Sequence, residues 1–226
     1  MAPGPVAIFD LDRSMAELRP DAACVVQDIK TFQDVRDALA TPGAWDGVKT
    51  IIIDSFTALQ DLAEAHVIKN VKTEKGATVS SIEGYGFGKG YRHLYDALLL
   101  ALADLETHLR AGRNVILVMH DQTVTVPSPE GEDWLRYQPR LFSTKAAKFD
   151  ERVREWLSYL FFVGYDIKVE DKVGKGHGTR TITTREMPHC IAKRRTELPD
   201  SLQYVQNDPK IWDLVFKTDT DKGETT

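Results

Sequence analysis

Val48-Lys-Thr-Ile-Ile-Ile-Asp54 runs without a break into Ser55-Phe-Thr-Ala-Leu59, and this junction decides how the rest of the chain is read. The first seven residues read as the strongest strand in the chain, with the apolar Ile51-Ile-Ile53 closed by a carboxylate, as in a buried strand of a parallel sheet. Ser55–Lys72 then places Phe56, Leu59, Leu62, His66 and Val67 near one helical face. A strand that passes into a helix at an acidic residue is the unit from which α/β sheets are built.

Similar units lie on either side. Val6–Asp10 reads as a second buried strand and Ala23–Asp28 as a short third one. Thr31–Ala40 follows as a helix with Phe32, Val35 and Leu39 on one face, stopped by Thr41-Pro-Gly. The polar loop Thr73–Gly90 leads to Tyr91–Ala111, an amphipathic helix with Leu94, Leu98, Leu102, Leu105 and Leu109 aligned and Gly112 at its C′ position. Asn114–Met119 is another buried strand, ending in His120-Asp121-Gln122.

Beyond it the pattern changes. Residues 123–142 read as a hairpin with its turn in Pro127–Asp133, and Thr144–Tyr159 as a helix. Leu160–Glu170 and Thr179–Thr184 read as antiparallel strands around Gly-Lys-Gly-His-Gly, and Lys210–Phe216 as a short helix. The expected fold is α/β: a mostly parallel sheet flanked by helices, with an antiparallel hairpin extension in the C-terminal half. Residues 1–216 are expected to form one domain and 217–226 a disordered tail.

Composition fits a globular protein. Of 226 residues 42% are hydrophobic, 28% charged and 9% aromatic, which excludes disordered, collagen-like and disulfide-scaffold classes. No stretch is long and apolar enough to predict a membrane span. The opening MAPGPVAIFDLDR lacks the basic and apolar regions of a secretory signal. Cys24 and Cys190 form no CxxC pair and read as thiols in a reducing cytoplasm. Net charge is −5, unevenly spread: residues 140–195 carry thirteen basic against seven acidic residues, net +6. Such asymmetry suits an anionic partner or a solvated, internally paired face.

In an open α/β sheet, ligands sit beyond the carboxyl ends of the strands. Three predicted strands end there in polar groups: Asp10 and Asp12; Asp54 and Ser55; His120, Asp121 and Gln122. A carboxylate after an apolar strand suits Mg²⁺, which prefers hard oxygen ligands, and a second one can deprotonate water. Asp10, Asp12 and Asp54 together are also a candidate ligand set for a metal-dependent nuclease. No HxxxH or HExxH spacing predicts zinc, and no GxSxG predicts a serine nucleophile.

Four of these segments, in this order, resemble the RecA-like P-loop ATPases, and most nearly the phage-encoded ones of recombination and single-strand annealing. TIIIDSFTAL (Thr50–Leu59) resembles the Walker B strand, IFDLD (Ile8–Asp12) the strand bearing the catalytic acid, VILVMHDQ (Val115–Gln122) the phosphate-sensing strand, and IAKRRTELP (Ile191–Pro199) the Lys-x-Arg strand. The resemblance implies ATP and Mg²⁺ as cofactors, Asp54 and Ser55 at the metal, Asp12 as the base where the family usually has Glu, and Gln122 as the sensor. It implies Lys193 and Arg195 as a trans finger reaching a neighbouring subunit's nucleotide, and hence a homo-oligomer. Tyr85, Lys89, Arg92 and Arg194 are the candidate contacts to single-stranded DNA, through stacking and charge. It also implies the cytoplasm of a bacterial host as location and no membrane partner.

One family element is absent from these residues. GxxxxGK[ST], whose amides and lysine grip phosphate, does not occur: Gly88-Lys89 has Glu83 at the first-glycine position and Gly90 after the lysine, while Gly174-Lys175 has Val169 and Gly176. The expectation is a nucleotide site incomplete in this chain, its phosphate loop truncated or carried by a second polypeptide. The alternative is a non-catalytic assembly protein that retains only the fold.

Overall fold

A computed structural model of the chain describes residues 2–15, 23–170 and 173–216, and the expected tail lies outside the described residues. These residues fall into two compact units: Pro3–His120 with Pro139–Arg152, and Asp121–Gln138 with the chain from Val153 onward.

The first unit is the α/β part. Strands β1 (Val6–Asp10), β2 (Ala23–Val25), β3 (Thr50–Asp54) and β4 (Asn114–Val118) form an all-parallel sheet in the order β2-β1-β3-β4. Its register sets Asp10 beside Asp54, and Asp54 beside Val118. Helices α1 (Phe32–Ala40), α2 (Phe56–Asn70) and α3 (Lys89–Arg110) supply the connections. Phe9, Ile51 and Ile53 of the strands are fully buried, as are Phe56 and Leu59 of α2 and Leu94, Leu98 and Leu105 of α3. Each such side chain contributes about 1.5–3 kcal/mol of transfer free energy, so this layer holds the site's scaffold rigid.

Local signals fix the helix ends. Thr31 and Asp34 form a reciprocal capping box at α1. A 3₁₀ turn, Ile82–Tyr85, precedes α3, and a Cβ on Gly90 would lie 2.0 Å from the Ile82 carbonyl oxygen. Gly90 therefore lets the helix start pack against that turn, and Gly88-Lys89-Gly90 is a packing element rather than a phosphate loop.

The second unit is antiparallel. It contains the hairpin β5 (Asp121–Val126) and β6 (Trp134–Pro139), and the sheet β7 (Phe162–Glu170), β8 (Val173–Thr183) and β9 (Ser201–Gln203) in that order. The observed architecture is thus the expected parallel sheet flanked by helices with antiparallel hairpins after it.

Two expected boundaries need correction. The helix over Thr144–Tyr159 is only α4 (Phe149–Trp156). Its first residues instead close a turn, in which Thr144 N–H donates to Ala147 O and Ala147 N–H to Thr144 Oγ1, the local competition that keeps threonine out of helix interiors. The glycine-rich segment 174–178 is not the hairpin turn but part of β8, where a register shift opposite Tyr165–Ile167 absorbs it. A last short helix, α5 (Lys210–Val215), follows. Among the described residues no helix is long and apolar enough to cross a membrane.

Candidate functional site

Asp54 is the last residue of β3, and its backbone organises the neighbouring strand end. Its carbonyl accepts from the amides of Leu11 (2.6 Å) and Asp12 (3.3 Å). That turn brings the chain after β1 across the end of β3, so Asp12 stays at the sheet edge instead of continuing outward. Asp10 is used differently. Its carboxylate accepts from Ser14 N–H (2.8 Å), Ser14 Oγ (3.3 Å) and Met15 N–H (3.0 Å), closing its own turn.

Asp12 Oδ2 lies 3.3 Å from His120 Nε2. His120 sits just past β4, where its amide donates to Thr57 Oγ1 of α2 (3.1 Å). Arg140 holds it from the other side: its amide donates to the His120 carbonyl (2.8 Å) and its Nη2 lies 3.0 Å from Nδ1. An arginine can only donate, so Nδ1 accepts. Nε2 then carries the proton that points at Asp12, so one line of donors runs from Arg140 through His120 to the carboxylate.

Burial raises the Asp54 carboxyl's pKa above the ordinary carboxylate value. The negative charges of Asp12 and then Asp10 add to this, and His120 opposes it. A carboxylate crowded by like charge at a strand end is relieved by a cation, and Mg²⁺ is commonly held through one or two carboxylates with the rest of its shell supplied by water and phosphate. The donor chemistry of Asp54 fits that ion.

Ser55 does not fit as expected. It is fully buried, and its Oγ accepts from Ala58 N–H (3.1 Å) as the N-cap of α2, so it is a helix cap and not a presented metal ligand. Among the described residues no three His, Cys, Asp or Glu side chains are grouped to hold a metal. The three-carboxylate ligand set of a nuclease is therefore not formed. Gln122 is the second residue of β5, in the second unit, whereas Asp12, Asp54 and His120 belong to the first.

The remaining candidates are scattered, and three are corrected. Tyr85 is buried, with its hydroxyl within hydrogen-bond reach of the carbonyls of Val67 (2.9 Å) and Val71 (2.7 Å). Its ring fills the space beside α2 and offers no base a face. Lys193 Nζ donates to the carbonyls of Arg154 (2.8 Å), Glu155 (3.3 Å) and Leu157 (2.7 Å), at the end of α4. It caps its own chain's helix instead of reaching a neighbour. Arg194 donates to the Leu198 carbonyl and pairs with Asp200 at 2.8 Å, which occupies its guanidinium.

Lys89 is exposed and pairs with Glu74 (2.7 Å), while Arg92 is exposed beside Asp96 (3.7 Å) and over the Tyr95 ring. Arg195 is exposed and has no ion pair among the described residues. Sequence reasoning missed Arg140 and Thr57, which act through His120, and misjudged which aromatic of the glycine loop is open. Phe87, between Gly86 and Gly88, is fully exposed with φ +50°.

Carboxylates thus stand at adjacent ends of the parallel β2-β1-β3-β4 sheet, and Asp12 meets a histidine just past β4; the family match supports a P-loop/AAA-type ATPase-like superfamily. The chain matches the AAA domain family over residues 1–196, and it belongs to that family. No curated protein and no solved structure matches it. AAA-type ATPases generally use ATP and Mg²⁺.

Proposed function

We propose that this chain supplies the acidic half of an ATP·Mg²⁺ site in a RecA-like ATPase of phage type that acts on DNA in recombination or replication, in the cytoplasm of a bacterial host. The observation that carries the reading is the placement of Asp54, Asp12 and His120 at the ends of β3, β1 and β4, with Asp12 and His120 in contact. The residues that grip the phosphates come from outside the sequence described, either elsewhere in the same polypeptide or in a second one.

In this reading Asp54 holds Mg²⁺, directly or through water. The ion, when bound, neutralises charge developing on the phosphates. Asp12 accepts the proton of the attacking water. His120 carries its proton on Nε2, so it serves Asp12 as a donor and orients the carboxylate. Arg195 is the residue left to reach a neighbouring subunit's nucleotide in a homo-oligomer, since Lys193 is engaged within its own chain.

Calorimetric titration of ATP·Mg²⁺ onto the 226-residue chain, beside Asp54→Ala, tests the reading. Binding weaker than micromolar that depends on Asp54 is the expected result. Micromolar binding lost in Asp54→Ala would place a phosphate grip inside this chain and overturn the divided site. Binding that ignores Asp54, or none at all, would favour a non-catalytic assembly protein that keeps only the fold.

A further inference from the structure

His120 and Arg140 are twenty residues apart in sequence, and one helix holds both in place. The His120 amide donates to Thr57 Oγ1 (3.1 Å), and the Phe142 amide, just after Arg140, donates to Gln60 Oε1 (2.8 Å). Thr57 and Gln60 stand at i and i+3 near the start of α2, on one face of it. The chain after Arg140 is fastened further. Leu141 is buried, and the Phe142 ring stacks on Phe149 (centroids 5.6 Å apart), which stacks in turn on Phe56 of α2 (6.1 Å). The spacing of His120 and Arg140 is therefore set by the helix that follows Asp54 and Ser55, although both side chains are exposed.

Arg140 spends this placement on His120 alone. Its amide donates to the His120 carbonyl (2.8 Å) and its Nη2 to Nδ1 (3.0 Å). Among the described residues it forms no ion pair, although Asp12 lies against the other side of the same ring, 3.3 Å from Nε2. The imidazole is thus held between a group that can only donate and a carboxylate. Which nitrogen of a histidine carries the proton is set by the bond that the other one makes. With the proton on Nδ1, Nε2 would be a second base beside Asp12. The guanidinium at Nδ1 excludes that form.

We infer that Arg140 is a positioning residue: it locks His120 as an Nε2–H donor toward Asp12 and so leaves the carboxylate as the proton acceptor of the pair. The inference rests on the reading of Asp12 as the base, and it adds the residue that keeps His120 from competing for the same proton.

The test reads where the proton sits. Long-range ¹H–¹⁵N correlation of the His120 ring at about pH 8, where an ordinary imidazole is uncharged, separates an acceptor nitrogen from an N–H nitrogen. The wild-type chain is expected to show a single form, with Nδ1 the acceptor and Nε2 the N–H. Asp12→Asn offers Nε2 an amide that suits either tautomer, so Arg140 alone still chooses, and the two signals should stay as far apart as in wild type. Adding Arg140→Met removes the donor at Nδ1, and the two signals should then move toward each other as the proton exchanges between the nitrogens. The amide signals of Ile51–Ile53 should be the same in all three proteins, which separates loss of the lock from loss of the fold. Three results would overturn the lock: an Nδ1–H form in the wild type, signals that already converge in Asp12→Asn, or signals that stay apart in the double variant. No nucleotide is present in these measurements. A locked His120 with no ATP binding would overturn the proposed function alone, and an unlocked His120 beside Asp54-dependent ATP binding would overturn the role of Arg140 alone.

Discussion

Lys193→Met separates a residue that builds the fold from one kept free for a neighbouring subunit. The methionine preserves the apolar stem and removes the ammonium. Three carbonyls at the end of α4, those of Arg154, Glu155 and Leu157, then lose a charged donor. Hydrogen bonds involving a charged group contribute about 1.5–3 kcal/mol net, and because one ammonium serves all three carbonyls the contributions do not add. A cation at a helix C-terminus adds about 0.3–1 kcal/mol. Against this stands the cost of burying the charge, which together with nearby Arg195 pulls the lysine's pKa below its ordinary value. The balance is a loss of about 2 kcal/mol, or about 4–8 °C in Tm for a chain of this size. Thermal unfolding followed by circular dichroism reads it directly. Arg195→Met, at an exposed position with no ion pair among the described residues, should leave Tm unchanged. A Lys193→Met protein melting within a degree of wild type would refute the capping role and return Lys193 to the trans position that the family resemblance implies.

Three further outcomes follow from the same geometry. Asp54→Asn should stabilise the chain at pH 7 by about 0.5–2 kcal/mol, the usual gain when a functional site is relieved. Because the native carboxyl's pKa is raised, the native state holds the proton longer, stability falls as pH rises through that window, and the variant's gain in urea unfolding should vanish near pH 3. His108 is buried, with Nε2 3.0 Å from the Leu39 carbonyl, and burial, with Arg113 nearby, lowers its pKa. On acidification below about 6.5 the unfolded chain protonates first, so stability falls toward pH 5 by up to about 1.4 kcal/mol per unit; His108→Gln should flatten that slope. Tyr85→Phe removes the hydroxyl near the Val67 and Val71 carbonyls and should cost about 1 kcal/mol in urea unfolding, with oligothymidylate affinity unchanged.

The parallel sheet was legible because its information is local. Ile51–Ile53 closed by Asp54 reads as a buried strand before any neighbour is known, and so does Val6–Asp10. The acidic edge follows from those two runs. What could not be read is which polar group has a partner already. Ser55 stands after a strand and before a helix, a position where serine caps as readily as it binds metal, and the amide of Ala58 decides for the cap. Tyr85 and Phe87 lie two residues apart in one glycine-bearing loop, and only the packing of α2 and α3 turns one inward and leaves the other open. Arg140 reaches His120 across twenty residues, and Lys193 reaches α4 across nearly forty. No spacing rule links them. The glycine-rich segment 174–178 reads as a turn, and only the strand register shows that it belongs to β8.

The central claim is that Asp54, beside Asp12 and His120, is one side of a metal–nucleotide site. Its most direct test is the titration of Mn²⁺·ATP into the ¹⁵N-labelled chain, where a paramagnetic ion broadens the amides nearest to it even when binding is weak. The account predicts that the signals of Leu11, Asp12, Asp54 and Ser55 broaden first, and that Asp54→Asn abolishes the selectivity. Uniform broadening, or the same selective pattern in Asp54→Asn, would contradict it.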